Sequence, residues 1–240
     1  MEFKTSISKI IPDDHIIRDE KLSNLIQKSS FADTIFLLLS GKKPTKAQSK
    51  IFEAALISVI DHGMGTTSSM AARFVASGGN EVNTSVAAGV MALGDYHGGA
   101  IEKTMQQLMQ ITLVKNFVSD ALENKKTIYG FGHKIYKDTD PRVNQLLEIC
   151  QKVKFNSAHI DTLKSIEIEI RKQKGKKIPL NIDGLLAAIL LEFGFNPQQG
   201  RGFFIIARTP GLVAQVVEEL DSKEPVRRVD EQDIVYTGKG

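Results

Sequence analysis

The chain has 240 residues, 42% of them apolar and 25% charged, and its 31 lysines and arginines against 28 acidic residues leave a formal net charge of +3. A chain of this length forms one large domain or two small ones around a substantial core, and the balance of residue types excludes a disordered tail, a collagen-like fibre and a disulfide scaffold. Acids interleave with the bases, so no clustered basic face points to nucleic acid.

From the N-terminus onward, Met1 to Asp14 carries charges and no apolar stretch of signal-peptide length. The first periodic segment runs from Thr45 to Ile60 and is rich in Ala, Ile and Leu, a helix that stops before Asp61-His62-Gly63. A second apolar helical stretch covers 66–94. Asp140-Pro141 reads as a cap followed by proline in the first turn of a helix that continues through Cys150. Phe155 to Lys174 is amphipathic, with Gly175 as its stop. Ile182, Leu185, Leu186, Ile189, Leu190 and Phe193 make one apolar helical face. Leu212, Val213, Val216, Val217 and Leu220 make another. Strand signals are scarce: Gly202 to Ala207 is a short ambiguous apolar run, and Val226 to Tyr236 reads as an extended arm. The predicted fold class is all-α. No apolar run approaches the roughly 18 residues of a membrane span. The single cysteine, Cys150, lies in an apolar run and reads as a small buried hydrophobe. With no partner for a disulfide, it suits a reducing compartment, and the expected location is the cytoplasm.

The glycines gather at helix junctions: Gly63 and Gly65, Gly78-Gly79, Gly98-Gly99, Gly130 and Gly132, Gly200 and Gly202. Three of these junctions carry a histidine, namely His62, His97 and His133. A fourth junction, Asn181-Ile182-Asp183-Gly184, offers an acid where helix amides favour an ionised carboxylate. Asp183 is either the cap of that helix or a functional carboxylate. No two of the three histidines stand three or four residues apart, so the local spacing of zinc motifs is missing and no metal is expected. There is no Gly-x-Ser-x-Gly elbow for a hydrolase, and the Gly-x-Gly pairs lack the third glycine and the strand of a dinucleotide site. Arg73, on an Ala-rich helix, reads as an ion-pair partner or a substrate ligand; the basic run from Arg171 to Lys177 reads as a solvated helix end.

Five stretches carry a resemblance. They are DHGMGTTSSMAARFVAS at 61–77, LGDYHGGAIEKTMQQL at 93–108, GFGHKIYKDTDPR at 130–142, PLNIDGLLAAIL at 179–190 and IARTPGLVAQVVEE at 206–219. In this order they resemble the citrate synthase superfamily, in a short form similar to stand-alone citryl-CoA lyases and to the citrate-synthase-like C-terminal part of ATP-citrate lyase. The resemblance implies a two-domain helical fold lacking much of the N-terminal helical region of full synthases. It implies a large domain of 1–98 with 190–240, and a small domain of 99–189 closing over the substrates. The activity it implies is cleavage of citryl-CoA to acetyl-CoA and oxaloacetate. The alternatives are citrate synthesis from the same two compounds, another acyl donor or keto acid, and a non-catalytic subunit that binds acyl-CoA or assembles with a larger one.

Carried over by position, the resemblance makes His97 the group that stabilises the enol of acetyl-CoA, His133 the group that polarises the oxaloacetate carbonyl, and Asp183 the base. His62, Arg142, Arg208 and Arg228 become ligands of the substrate carboxylates, with Arg227 as the rival to Arg228. Lys134 and Lys137, beside the turn of Gly130, Phe131 and Gly132, read as coenzyme A contacts or as solvated surface lysines, and the backbone of that turn is a candidate lining of the adenine pocket. No tightly bound cofactor is implied, coenzyme A entering as the substrate's thioester. A homodimer is implied, packed through the helices of 45–60 and 66–94, with the C-terminal arm completing the partner's site; neither nucleic acid nor membrane is. One departure is Gly184-Leu185-Leu186 after the aspartate, where synthases carry an aromatic and a hydroxyl residue. The chemistry needs these residue types. A thioester α-proton is very weakly acidic, so its removal requires a placed base and a donor for the enolate oxygen. Carboxylate ends call for arginine forks.

Overall fold

A computed structural model describes residues 1–133, 135–224 and 226–239. By compactness the chain forms two units, one of Met1–Ser58 with Gly99–Phe204, the other of Val59–Gly98 with the chain from Ile205 onward.

The first unit opens with a small antiparallel sheet, β1 (Ser8–Ile11), β2 (Asp14–Ile17) and β3 (Glu20–Lys21), in register with Ile10 opposite His15 and Ile16 opposite Lys21. The Arg18 side chain donates twice to the Leu38 carbonyl, at 3.1 and 3.0 Å, which ties the sheet to the helices that follow. Those are α1 (Leu22–Lys28), α2 (Phe31–Ser40) and α3 (Lys46–Ser58). After the second unit's helices, α4 (Thr67–Ser77) and α5 (Val82–Met91), the first unit resumes with α6 (Ala100–Leu108), α7 (Val114–Glu123), α8 (Pro141–Lys152), α9 (Ala158–Lys174) and α10 (Ile182–Glu192). The last helix, α11 (Pro197–Ser222), contributes residues to both units.

Helix α10 is the centre of the first unit. Leu185 through Leu190 are all fully buried, so the helix is apolar all round. It packs on α6, α9 and α8. Beside it Phe36, Phe52, Phe195 and Phe203 make an aromatic cluster, with Phe36–Phe52 ring centroids 5.2 Å apart and Phe52–Phe203 5.3 Å apart, both edge to face. In the second unit α4 and α5 form a helical hairpin, whose core of Ala72 and Ala76 meets Leu212 and Val216 of α11.

The helices stand close to where periodicity places them. Asp140 caps α8 through its side chain, Pro141 is the first residue, and Gly175 ends α9 in the left-handed conformation. Three features differ. The N-terminal sheet has no counterpart in the sequence reading. Helix α9 starts at Ala158 rather than Phe155, because the Ser157 side chain caps it. The run Gly202–Ala207 is helical, continuous with the stripe at 212–220 in a single helix of 26 residues. No described helix is long and apolar enough to cross a membrane.

Phe52 is 1% exposed and touches three other rings. Replacing it with alanine is expected to cost about 3–5 kcal/mol of stability, read as a lowered denaturant midpoint. A midpoint equal to that of the parent chain would show that the cluster is not part of the cooperative core.

Candidate active site

In the first unit the turn at 130–133 and the start of α10 run backbone against backbone. The Gly132 N–H donates to the Pro179 carbonyl at 2.8 Å, and the Asn181 N–H donates to the Gly130 carbonyl at 3.0 Å. The Asn181 side chain binds both segments: its amide N–H donates to the Gly132 carbonyl at 2.8 Å, and its Oδ1 accepts the Gly184 N–H at 3.0 Å. Asn181, not Asp183, is therefore the helix cap. Asp183 is the second residue of the helix, half-buried, with its carboxyl in the first turn where the helix dipole favours the anion. Gly130 and Gly184 make the approach possible. A Cβ on Gly130 would lie 2.8 Å from the Gly184 Cα, and one on Gly184 would lie 2.5 Å from the Gly130 carbonyl oxygen.

His133 leaves this turn with its ring stacked on Tyr136 at 4.6 Å between centroids. Its Nδ1 accepts the backbone N–H groups of Ile135 and Tyr136, both at 3.1 Å. Arg142 Nη2 lies 3.3 Å from the ring's Nε2, within hydrogen-bond distance, so an N–H donor faces each ring nitrogen. Burial pushes the His133 pKa below its ordinary 6.5, the Arg142 charge pushes the same way, and Asp140 opposes them. The ring is thus neutral at physiological pH.

Asp140 organises the group and was legible in the sequence only as a cap. Its carboxylate is 1% exposed and accepts four donors: the Arg142 N–H at 3.1 Å, Arg142 Nε at 3.0 Å, Arg142 Nη2 at 2.8 Å and the Ile182 N–H at 3.1 Å. Burial alone would raise its pKa, but the hydrogen bonds and charge of Arg142 and the Ile182 amide outweigh burial and hold it below 3.8. One buried charge therefore sets the Arg142 fork and anchors the first amide of the helix that bears Asp183. Lys137 folds back, its Nζ donating to the His133 carbonyl at 3.2 Å. Phe131 pairs with Leu180 across the two segments. Lys134 lies outside the described residues.

The second unit holds the other sequence-predicted residues. His62, half-buried, sits in a turn closed by the Gly63 N–H donating to Asp61 Oδ2 at 2.9 Å. Helix α11 grips this turn from one face. Arg208, 3% exposed, donates through Nε to the Val59 carbonyl at 2.9 Å, and Gln215 Nε2 donates to Asp61 Oδ2 at 3.3 Å. Gly211, between them on that face, has no room for a Cβ beside the Ile60 carbonyl. His97 closes a tight turn with Gly94, through paired backbone bonds of 2.8 and 3.0 Å. Its Nε2 is 2.8 Å from the hydroxyl of the buried Ser68, a partner that sequence reasoning missed. Arg73 is an ion-pair residue, bound to Glu219 at 2.7 Å and Glu218 at 3.2 Å. Arg228 is exposed and lines a cavity of about 610 Å³ with Met64, Gly65, Met70 and Phe74.

Comparison with known proteins agrees with the five sequence blocks. The family described as Citrate synthase, C-terminal domain, matches residues 14–229. Citrate synthase 2 of Bacillus subtilis is 30% identical over 213 residues, which are 86% of this chain and 56% of that protein. The chain spans a little over half the length of the first curated relatives it matches. Among solved structures, citryl-CoA lyase from Hydrogenobacter thermophilus superposes with a TM-score of 0.94 at 46% identity, over 99% of this chain and 95% of that one. ATP citrate lyase from Methanothrix soehngenii, in complex with citrate and coenzyme A, has a TM-score of 0.85 at 21% identity; all of this chain matches 42% of that one, a likeness of fold. The chain belongs to the citrate synthase family.

Two substitutions test the electrostatics of the first unit's group. In an NMR titration the His133 ring is expected to protonate below 6.5, and further below in Asp140→Asn, where the anion that favours the imidazolium is gone. Arg142→Ala should move the titration up. Because the unfolded chain takes up this proton first as the pH falls through 6.5, the group lowers stability on the acid side. A His133 that titrates at or above 6.5 in the parent chain would overturn the reading of a neutral ring.

Proposed function

We propose that this chain cleaves citryl-CoA to acetyl-CoA and oxaloacetate by a retro-Claisen reaction. The observation that carries the reading is the clasp of the 130–133 turn on the start of α10, which places a neutral His133 and the Arg142 fork beside the helix whose first turn holds Asp183. The 46% identity to a citryl-CoA lyase over 99% of the chain supports the direction. Synthesis of citrate is the second reading, favoured by the names of the curated relatives.

In the bond-forming sense, Asp183 removes a methyl proton from acetyl-CoA and His97 donates to the enolate oxygen. The nucleophilic carbon adds to the ketone carbon of oxaloacetate. The ketone oxygen becomes an alkoxide whose charge His133 stabilises, then takes up a proton from solvent. Cleavage retraces these steps. Asp183 starts cleavage protonated. The hydroxyl gives up its proton to solvent, the carbon–carbon bond breaks, and the electron pair passes to the thioester carbonyl. Asp183 then gives its proton to the carbon, and the carboxylate left behind takes up a proton from solvent before the next turnover, so one proton is released and one is consumed. In the bond-forming sense a carboxylate in a helix first turn is available as a base, and an imidazole that is not charged stabilises an alkoxide without surrendering a proton too early. These steps need no cofactor, since coenzyme A enters and leaves with the substrate.

Further assignments belong to the same proposal. His62, Arg142, Arg208 and Arg228 hold substrate carboxylates. The turn of Gly130, Phe131 and Gly132, with Lys134 and Lys137, meets coenzyme A. The division into a large domain of 1–98 with 190–240 and a small domain of about 99–189 that closes over the substrates belongs to the same proposal. A homodimer is supported by apolar side chains left open on α4 and α5, among them Met70 at 44%, Phe74 at 41% and Met91 at 84% exposure. A cytoplasmic location belongs to the same proposal, supported by Cys150, which is free and buried.

A paired assay tests the reading: the purified chain is given citryl-CoA in one arm and acetyl-CoA with oxaloacetate in the other. Turnover of citryl-CoA to acetyl-CoA is expected, and Asp183→Ala should lower it about 10²–10⁴-fold with unchanged circular dichroism. Parent-like cleavage by that variant would remove Asp183 from its role. Release of free coenzyme A and citrate would favour the synthase, and no turnover in either arm the non-catalytic subunit.

A further inference from the structure

Two adjacent arginines of the C-terminal arm have opposite surroundings. Arg227 is engaged: its Nε donates to Glu219 Oε1, and its backbone N–H donates to the Ser77 hydroxyl at 3.1 Å. The Glu219 side chain is 1% exposed, and its other oxygen accepts Arg73 Nε at 2.7 Å. Arg73, itself 6% exposed at the side chain, also donates through Nη1 to Gln215 Oε1 at 2.8 Å, and Gln215 in turn reaches Asp61. Arg228 makes no hydrogen bond or ion pair among the described residues, and it faces the cavity that Met64 and Gly65 line just after His62.

A buried carboxylate between two guanidiniums adds little net stability over an apolar replacement of similar size, because desolvation offsets the attraction. What such a triad provides is location: only one arrangement of the arm satisfies all three charges. We infer that Glu219 and Arg73 form a socket for Arg227, and that Glu219 is a positioning residue that fixes the arm so that Arg228 meets a substrate carboxylate. This rests on the proposed reading of Arg228 as a substrate ligand. The same chain of side chains runs from Arg227 through Glu219, Arg73 and Gln215 to Asp61, so the arm and the His62 turn share one register. Burial and two guanidiniums act on Glu219 in opposite senses, and the guanidiniums prevail, holding it below its ordinary 4.5 so that it is an anion throughout the working range.

The test uses the full chain with three substitutions and two measurements, hydrogen exchange of the arm amides at 226–239 and the kinetics of citryl-CoA cleavage. Glu219→Gln keeps the shape and removes the charge. It is expected to speed exchange across the arm and to raise KM roughly 10- to 100-fold, the value of a lost charge-assisted fork, with a smaller effect on kcat. Arg228→Ala should raise KM alike with exchange unchanged, and the double variant should be no worse than Arg228→Ala alone. Should Glu219→Gln not fold, Arg227→Met empties the socket while leaving the Glu219–Arg73 pair intact, and carries the same expectations. Unchanged exchange in the socket variants would overturn the socket. Faster exchange with parent KM would overturn the positioning role. A parent KM in Arg228→Ala would overturn the reading of Arg228 as a ligand, while the exchange result on the socket would stand.

Discussion

The candidate site in the first unit depends on one contact, the backbone of Gly130 against the backbone of Gly184. Neither residue tolerates a Cβ toward the other, and across that contact pass the bonds that join the 130–133 turn to α10. Hydrogen bonds between backbones need their segments within a few tenths of an ångström of the right separation. A methyl group at the contact would open all of them together. The Asn181 side chain adds to this constraint because it serves two masters, capping α10 with its oxygen and holding the Gly132 carbonyl with its nitrogen. His133 and Asp183 stand one on each segment of this clasp.

Onto this frame the charges are arranged so that each sets its neighbour's state. The Asp140 anion is buried, and four donors offset its desolvation. By holding Arg142 through Nε and Nη2 it fixes the plane of the guanidinium. Burial, and after it the charge of the fixed guanidinium, lowers the pKa of the neighbouring imidazole, whose Nδ1 accepts two backbone amides. A free histidine at neutral pH would be a mixture of tautomers with a fraction of imidazolium. Here the imidazolium is disfavoured and the ring is held by backbone amides at one nitrogen and a guanidinium at the other, an orientation set before a developing alkoxide arrives.

The helices were legible because their cores repeat with the period of a helix, and α10 was legible because it is apolar on every side. The sheet was not. Its strands are four residues or fewer and half-exposed, and the tight turn between β2 and β3 places Arg18 and Asp19 at positive φ, where neither residue announces a turn as Asn-Gly would. The run Gly202–Ala207 is apolar on consecutive positions, a pattern that strand and buried helix share. At the site, His133, Arg142 and Asp183 stood out through their motifs, and the helix start at Asn181–Gly184 was visible. Asn181 and Asp183 compete for the cap by residue type alone, and only the reach of Asn181 to Gly132 settles it. The second role of Asp140 was out of sight, since its bond to the Ile182 amide links two segments distant in sequence. So was Ser68, one of several hydroxyls in a row at the start of α4, only two of which turn fully inward.

Helix α11 shows how tertiary contact overrides local preference, and why a helix breaker can mark a docking site. Pro210 and Gly211 in succession disfavour a helix by about 3 and about 1 kcal/mol relative to alanine, yet the helix runs unbroken from Pro197 to Ser222. Pro210 is exposed, so its ring meets solvent rather than packed neighbours. Gly211 is buried against the Ile60 carbonyl, where any side chain would force the turn of His62 away from the helix. Arg208 and Gln215, on the same face, bond the two ends of that turn, and Glu219, one turn further on, holds the arm. The residue that weakens the helix is thus the one that lets its neighbours reach. Alanine at 211 would strengthen the isolated helix, and in the folded chain it would separate Arg208 and Gln215 from the backbone and carboxylate they bind.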